Sequence, residues 1–96
     1  MRNFKLERLN EGESIITKEK GNSMSPLIKS NQKHKLEPTN SNSCEVGDIV
    51  YCKVKGNFYT HLVKAKDENK GVLIGNNRGR INGWTQKVYG KVVEIY

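Results

Sequence analysis

Two side chains in this 96-residue sequence are suited to nucleophilic catalysis: Ser23 and His61. A serine hydroxyl is a weak nucleophile until a base takes its proton. Ser23 sits in Gly21-Asn22-Ser23-Met24-Ser25-Pro26, where glycine, asparagine and proline favour a tight turn that exposes the hydroxyl. His61 lies in Tyr59-Thr60-His61-Leu62-Val63. An imidazole, with an ordinary pKa of about 6.5, serves as a base near neutrality, whereas a lysine needs strong desolvation to do so. The chemistry is acyl transfer. Ser23 attacks a peptide carbonyl, His61 removes and then returns the proton, and the backbone N–H groups of Asn22 and Ser23 steady the oxyanion. Spacing alone does not select this reading, because such pairs are defined by geometry. The structural alternative is that Ser23 caps the turn after it and His61 is a half-buried strand residue.

The elements that would carry these residues are short strands. Residues 3–10 fit a helical turn with Phe4, Leu6 and Leu9 loosely on one face, ended by Gly12. Ser14–Lys18 reads as a strand leading into the serine turn, and Pro26 opens a single helical turn through Lys29. Gln32–Glu37 is a short strand closed by Pro38, followed by a polar loop over Thr39–Ser43. Val46-Gly47-Asp48 delivers a strand over Ile49–Lys55, and Gly56-Asn57 marks a hairpin returning through Phe58–Lys66. A turn at Asp67–Gly71 leads to Val72–Ile74, a polar loop over Gly75–Gly83, and a closing strand over Trp84–Tyr96, bulged at Gly90. Alternation puts His61 on one strand face with Tyr59 and Val63, so an inward face would shield and orient it. Short strands separated by turns predict an all-β sandwich or partly open barrel.

Composition bounds the rest. The length allows one small domain, which buries only about 60–65% of its unfolded surface. Seventeen Lys+Arg against ten Asp+Glu give a formal charge of +7, spread along the chain without a dense block. Arg78, Arg80 and Lys87 flank Trp84, and cations beside an aromatic ring can track phosphates and stack on bases. The competing expectation is a surface loop with Trp84 packed inward over the core. The first twenty residues are charged throughout and no apolar run approaches a bilayer span, so a cytoplasmic location without membrane contact is expected. Cys52 alternates with Val50 and Val54 as a buried thiol would, and Cys44 follows a polar loop. Cys44, Cys52, His34 and His61 match no structural zinc spacing, and neither metal nor cofactor is implied.

Four features, taken in order, resemble the superfamily of LexA-like self-cleaving repressors and type I signal peptidases. Gly21-Asn22-Ser23-Met24-Ser25-Pro26 is similar to the Gly-x-Ser-Met-x-Pro nucleophile box. Val46-Gly47-Asp48-Ile49-Val50 resembles the Gly-Asp-x-Val turn, Tyr59–Val63 falls where the family places its base, and Gly90-Lys91-Val92-Val93-Glu94-Ile95 resembles the closing Gly-Lys-Val-Val strand. The likeness spans about residues 14–96 and leaves 1–13 as an extension. It implies a coiled, all-β sheet sandwich or partly open barrel carrying a serine peptidase site.

The family's base is usually lysine. In endoplasmic-reticulum-type and archaeal signal peptidases it is histidine, and His61-Leu62-Val63 is similar to that version. Those enzymes add an aspartate from a Gly-Asp-Asn loop. Here Gly75-Asn76-Asn77-Arg78-Gly79-Arg80-Ile81-Asn82 holds no acid, and Asn82 stands near the expected place. An asparagine can hold an imidazole tautomer but cannot offset its charge.

The resemblance implies a soluble serine peptidase cutting itself or a protein partner through Ser23 and His61. The alternative is an inactive binding module of the same fold, contacting nucleic acid or protein. The chain ahead of the nucleophile box has room for neither a repressor's DNA-binding domain nor a signal peptidase's membrane helix, as in a stand-alone phage or mobile-element product. LexA-like domains commonly pair through closing strands, which makes Val92, Ile95 and Tyr96 candidates for an edge contact in a homodimer.

Overall fold

A computed structural model describes residues 3–21 and 24–96. The elements run α1 (Phe4–Asn10), β1 (Ile15–Thr17), β2 (His34–Pro38), β3 (Ile49–Val54), β4 (Asn57–Asp67), β5 (Gly71–Gly75), β6 (Ile81–Thr85) and β7 (Val88–Ile95). The protein is mainly β, as its short strands and turns predict. Among the described residues seven strands form one antiparallel sheet in the order β1-β2-β7-β3-β4-β5-β6, not closed into a barrel. No helix among the described residues is long and apolar enough to cross a membrane.

β3 is buried on both faces. Val50, Cys52 and Val54 enter one core with Cys44, Val63, Val72, Ile74 and Val88. Tyr51 enters a second core with Leu9 and Leu36, flanked by Phe58, Tyr89 and Val92. Cys52 thus sits where alternation puts it, while Cys44, at the end of its loop, is also fully buried. Helix α1 contributes to the second core through Leu9. Asn3 caps this helix, its Oδ1 accepting from Leu6 N at 3.1 Å while its Nδ2 donates to Tyr51 Oη at 2.8 Å. Phe4, grouped by the sequence on one face with Leu6 and Leu9, is 62% exposed.

Three local readings change. The hairpin loop between β3 and β4 is Lys55-Gly56, one residue earlier than Gly56-Asn57, because Val54 pairs with Asn57. Both loop residues have positive φ, 50° and 84°, matching the twist of the flanking strands. The single helical turn forms two residues earlier than expected, with Pro26 inside it rather than opening it. Residues 24–27 form a turn in which Ile28 N donates to Met24 O at 3.0 Å.

The third change is larger. Part of the expected 75–83 loop is strand β6, and the chain breaks at Gln86-Lys87 instead of running as one strand from Trp84. Thr85 makes the corner, donating through Oγ1 to Lys53 O at 2.6 Å and accepting from Lys87 N at 3.0 Å. Lys53 N donates to Lys87 O at 2.9 Å, so the coiling sheet brings the end of β6 back to β3. β7 then runs between β2 and β3. β3 pairs with it only over Val88–Lys91, so Val92–Ile95 are paired on the β2 side alone, while the outermost strands of the sheet are β1 and β6. Trp84 does not cover the core. It is 37% exposed on β6, with Lys70 Nζ 5.4 Å from its ring centroid.

Candidate functional site

β4 carries the imidazole. His61 pairs with Val50 on β3, shares a strand face with buried Val63, and is 8% exposed. The Tyr59 ring stacks on it, with centroids 4.9 Å apart and planes 26° apart. β5 pairs with β4 only from Leu62 onward. Among the described residues, Phe58–His61 therefore have a strand on the β3 side alone, and a cleft of about 390 Å³ opens beside this segment.

The loop after β5 supplies the partner of His61. Asn76 organises that loop, its Oδ1 accepting from Arg78 N at 2.8 Å and Arg80 N at 3.0 Å, while Asn76 N donates to Arg80 O. Asn77 Nδ2 reaches the Ser25 carbonyl at 3.0 Å and so ties the loop to the serine turn. Asn82, just inside β6, accepts the His61 Nδ1–H bond through Oδ1 at 2.8 Å. An amide oxygen only accepts, so Nδ1 carries the proton and Nε2 is the basic nitrogen of the neutral ring. Burial pushes the His61 pKa below its ordinary value; the Asn82 bond and the Glu19 charge oppose this, and Arg80 adds to it.

The described flanks of Asn22-Ser23 border the same cleft. Asn31 N donates to Glu19 O at 2.7 Å and Gly21 N donates to Ser30 Oγ at 3.1 Å, which closes the 19–31 segment on itself. Gly21 and Met24 both line the cleft with His61 and Asn82. Asn22 and Ser23, the predicted oxyanion residue and nucleophile, lie outside the described residues. Among the predicted site residues, His61 and Asn82 are brought together. Arg80 lines the same cleft, while Arg78, Trp84 and Lys87 are exposed along the loop and β6–β7 corner.

Sequence reasoning missed two residues here. Glu19 supplies the nearby negative charge that the Gly75–Asn82 loop lacks. Its Oε1 accepts from Thr60 Oγ1 at 2.5 Å and from Lys5 Nζ at 3.3 Å. His34, the first residue of β2, is 1% exposed yet lines the cleft. Neither has a signal in local sequence: β7 and β3 separate β2 from β4 in the sheet, so only the tertiary structure brings Glu19, just after β1, and His34 to the cleft beside β4. Among the described residues no group of three His, Cys, Asp or Glu side chains could hold a metal ion. The buried thiols of Cys44 and Cys52 belong to the core and do not line the cleft.

Compared with known proteins, the chain matches no family model, no curated protein and no solved structure. Its fold defines it as an all-β protein with one open sheet, and any function rests on the cleft itself.

Proposed function

We propose that this protein is a serine peptidase-like hydrolase acting on a peptide bond, in itself or in a partner, through Ser23 and His61. The observation that carries the reading is the bond from His61 Nδ1–H to Asn82 Oδ1, in a cleft that both flanks of Asn22-Ser23 also line. That bond fixes the tautomer a general base requires and turns Nε2 to the task of accepting a proton. Ser23 Oγ attacks the substrate carbonyl as its proton passes to His61 Nε2. Collapse of the tetrahedral intermediate expels the amine, which takes that proton, and water then releases the acyl group by the same route in reverse. Backbone N–H groups of Asn22 and Ser23 serve the oxyanion. A peptide suits the site because the β4 edge over Phe58–His61 leaves room for an extended chain to add alongside. Asn82 leaves the imidazolium charge uncompensated, and Glu19 partly replaces the missing acid.

The test is covalent. A fluorophosphonate should modify the wild-type protein once, at Ser23, and leave Ser23→Ala untouched. An unmodified wild type, or equal modification of Ser23→Ala, removes the proposal.

A second reading draws on Trp84, whose indole is partly exposed on edge strand β6 with Arg78, Arg80 and Lys87 nearby in sequence and also exposed. This surface would bind single-stranded nucleic acid through phosphate contacts and base stacking. A mobility shift that weakens with salt and is lost in Trp84→Ala supports it; unchanged mobility at low salt with excess oligonucleotide rejects it.

A further inference from the structure

His34 presents a buried nitrogen that the peptidase chemistry does not use. Its Nδ1–H donates to the Gln32 carbonyl at 3.1 Å. A carbonyl only accepts, so in the neutral ring Nε2 is a bare acceptor. It has no hydrogen-bond partner among the described residues, although the side chain is 1% exposed and lines the cleft. A buried polar atom left unsatisfied is destabilising, and such atoms are uncommon without a ligand or a functional reason. Glu19 Oε1, an acceptor that already receives Thr60 Oγ1 and Lys5 Nζ, lies 4.0 Å away. Two acceptors at this spacing are bridged by one nitrogen carrying two hydrogens, with each bond near ordinary length.

The charges around this end of the cleft decide which nitrogen. Lys5 already pairs with Glu19, and Lys20, Lys29 and Arg80 line the cleft as well. Another cation would join a surplus of positive charge. A neutral carboxamide fits this setting: its NH2 group donates one hydrogen to the unsatisfied His34 Nε2 and turns the other toward Glu19, and its oxygen accepts from a lining cation. Met24, Ile28 and Phe58 also line the cleft and suit the methylene stem of such a side chain. We propose that the His34–Glu19 end of the cleft is a specificity subsite for a primary carboxamide, the side chain of a glutamine or asparagine in the bound peptide. This deepens the peptidase reading and rests on it for its meaning, but the binding step does not require Ser23.

The experiment uses Ser23→Ala protein with 15N-labelled histidine, titrated with N-acetyl-glutamine methylamide and with the methionine and lysine analogues. Methionine keeps the shape of glutamine without the donor; lysine supplies a charged donor. The expected result is movement of the His34 Nε2 resonance by the glutamine probe and at least tenfold weaker binding of both analogues. Glu19→Gln, a change at a partly exposed position, places a donor of its own beside His34 and should abolish the preference. Equal binding of the methionine probe, tighter binding of the lysine probe, an unmoved His34 resonance, or a preference that persists in Glu19→Gln each overturns the subsite. Fluorophosphonate labelling of the wild type is scored separately, so the subsite can fail while Ser23 still reacts, and the reverse.

Discussion

His61 on β4 and Asn82 on β6 are joined by a single 2.8 Å hydrogen bond from Nδ1–H to Oδ1, although β5 lies between their strands in the sheet. The bond spans the sheet only because β5 stops pairing with β4 at Leu62, which leaves the imidazole beside the loop that leads into β6. It sets the tautomer and the ring plane together. Residues that orient a functional histidine in this way typically matter by about 10–100-fold when removed.

Asn82→Ala should therefore slow fluorophosphonate labelling of Ser23 by about 10–100-fold without loss of fold. Asn82→Asp should move the acid limb of the labelling rate to higher pH, because a carboxylate favours the imidazolium. Labelling of Asn82→Ala at the wild-type rate would show that the bond has no part in activating the serine.

Burial holds the His61 pKa below its ordinary value. The folded protein then binds fewer protons than the unfolded chain in the window between the lowered value and about 6.5. The resulting stabilisation is complete above that window and is lost as pH falls through the folded value. Urea midpoints should drop between about pH 7.5 and about pH 5.5, and the drop should be smaller in His61→Gln. Identical pH slopes for the two proteins would contradict the assignment.

Gly90 gives Leu9 its seat. A Cβ on Gly90 would stand 3.0 Å from Leu9 Cδ1 and 3.2 Å from Cδ2. Gly90→Ala should cost about 1–3 kcal/mol through overpacking, and Leu9→Ala about 2–5 kcal/mol through the cavity it leaves. The double variant should lose less than the sum, since each change relieves the other. Simple additivity in chemical denaturation would mean that α1 does not dock as described.

Lys55 holds a left-handed φ of 50° in the β3–β4 hairpin. Lys55→Asn should stabilise the protein by about 0.5–1 kcal/mol, because asparagine tolerates that conformation better than lysine. A lower urea midpoint in the variant would count against this turn.

Cys52 is fully buried and its thiol pKa is pushed up to about 12 by desolvation. Native protein should react with iodoacetamide at Cys52 on the order of a thousandfold more slowly than urea-unfolded protein. Fast alkylation under native conditions would show that the β3–β4–β5 core opens readily.

The strands of this fold were legible wherever alternation and turn residues agreed. Val50, Cys52 and Val54 announced the inner face of β3, Gly12 the end of α1, and alternation a face shared by Tyr59, His61 and Val63. β6 was hidden because Asn82 and Gly83 interrupt any apolar pattern, and its position depends on Thr85 bonding to a backbone carbonyl on β3. Trp84 misled for a related reason: an aromatic side chain signals burial only if its strand has a covered face, and edge strand β6 leaves it partly open.

The local sequence settled what depends on neighbours a few residues away: a mainly β chain, most of its turns, and a histidine sharing a strand face with Tyr59 and Val63. Asn82 as its partner came from resemblance and needed coordinates to acquire a bond. Tertiary structure alone decided that β7 lies between β2 and β3, that Glu19 and His34 reach the same cleft, and that a buried nitrogen there has no partner among the described residues. Strand order and coiling arise from the free energy of the whole sheet closing its two cores around β3, a quantity that no short window of residues contains.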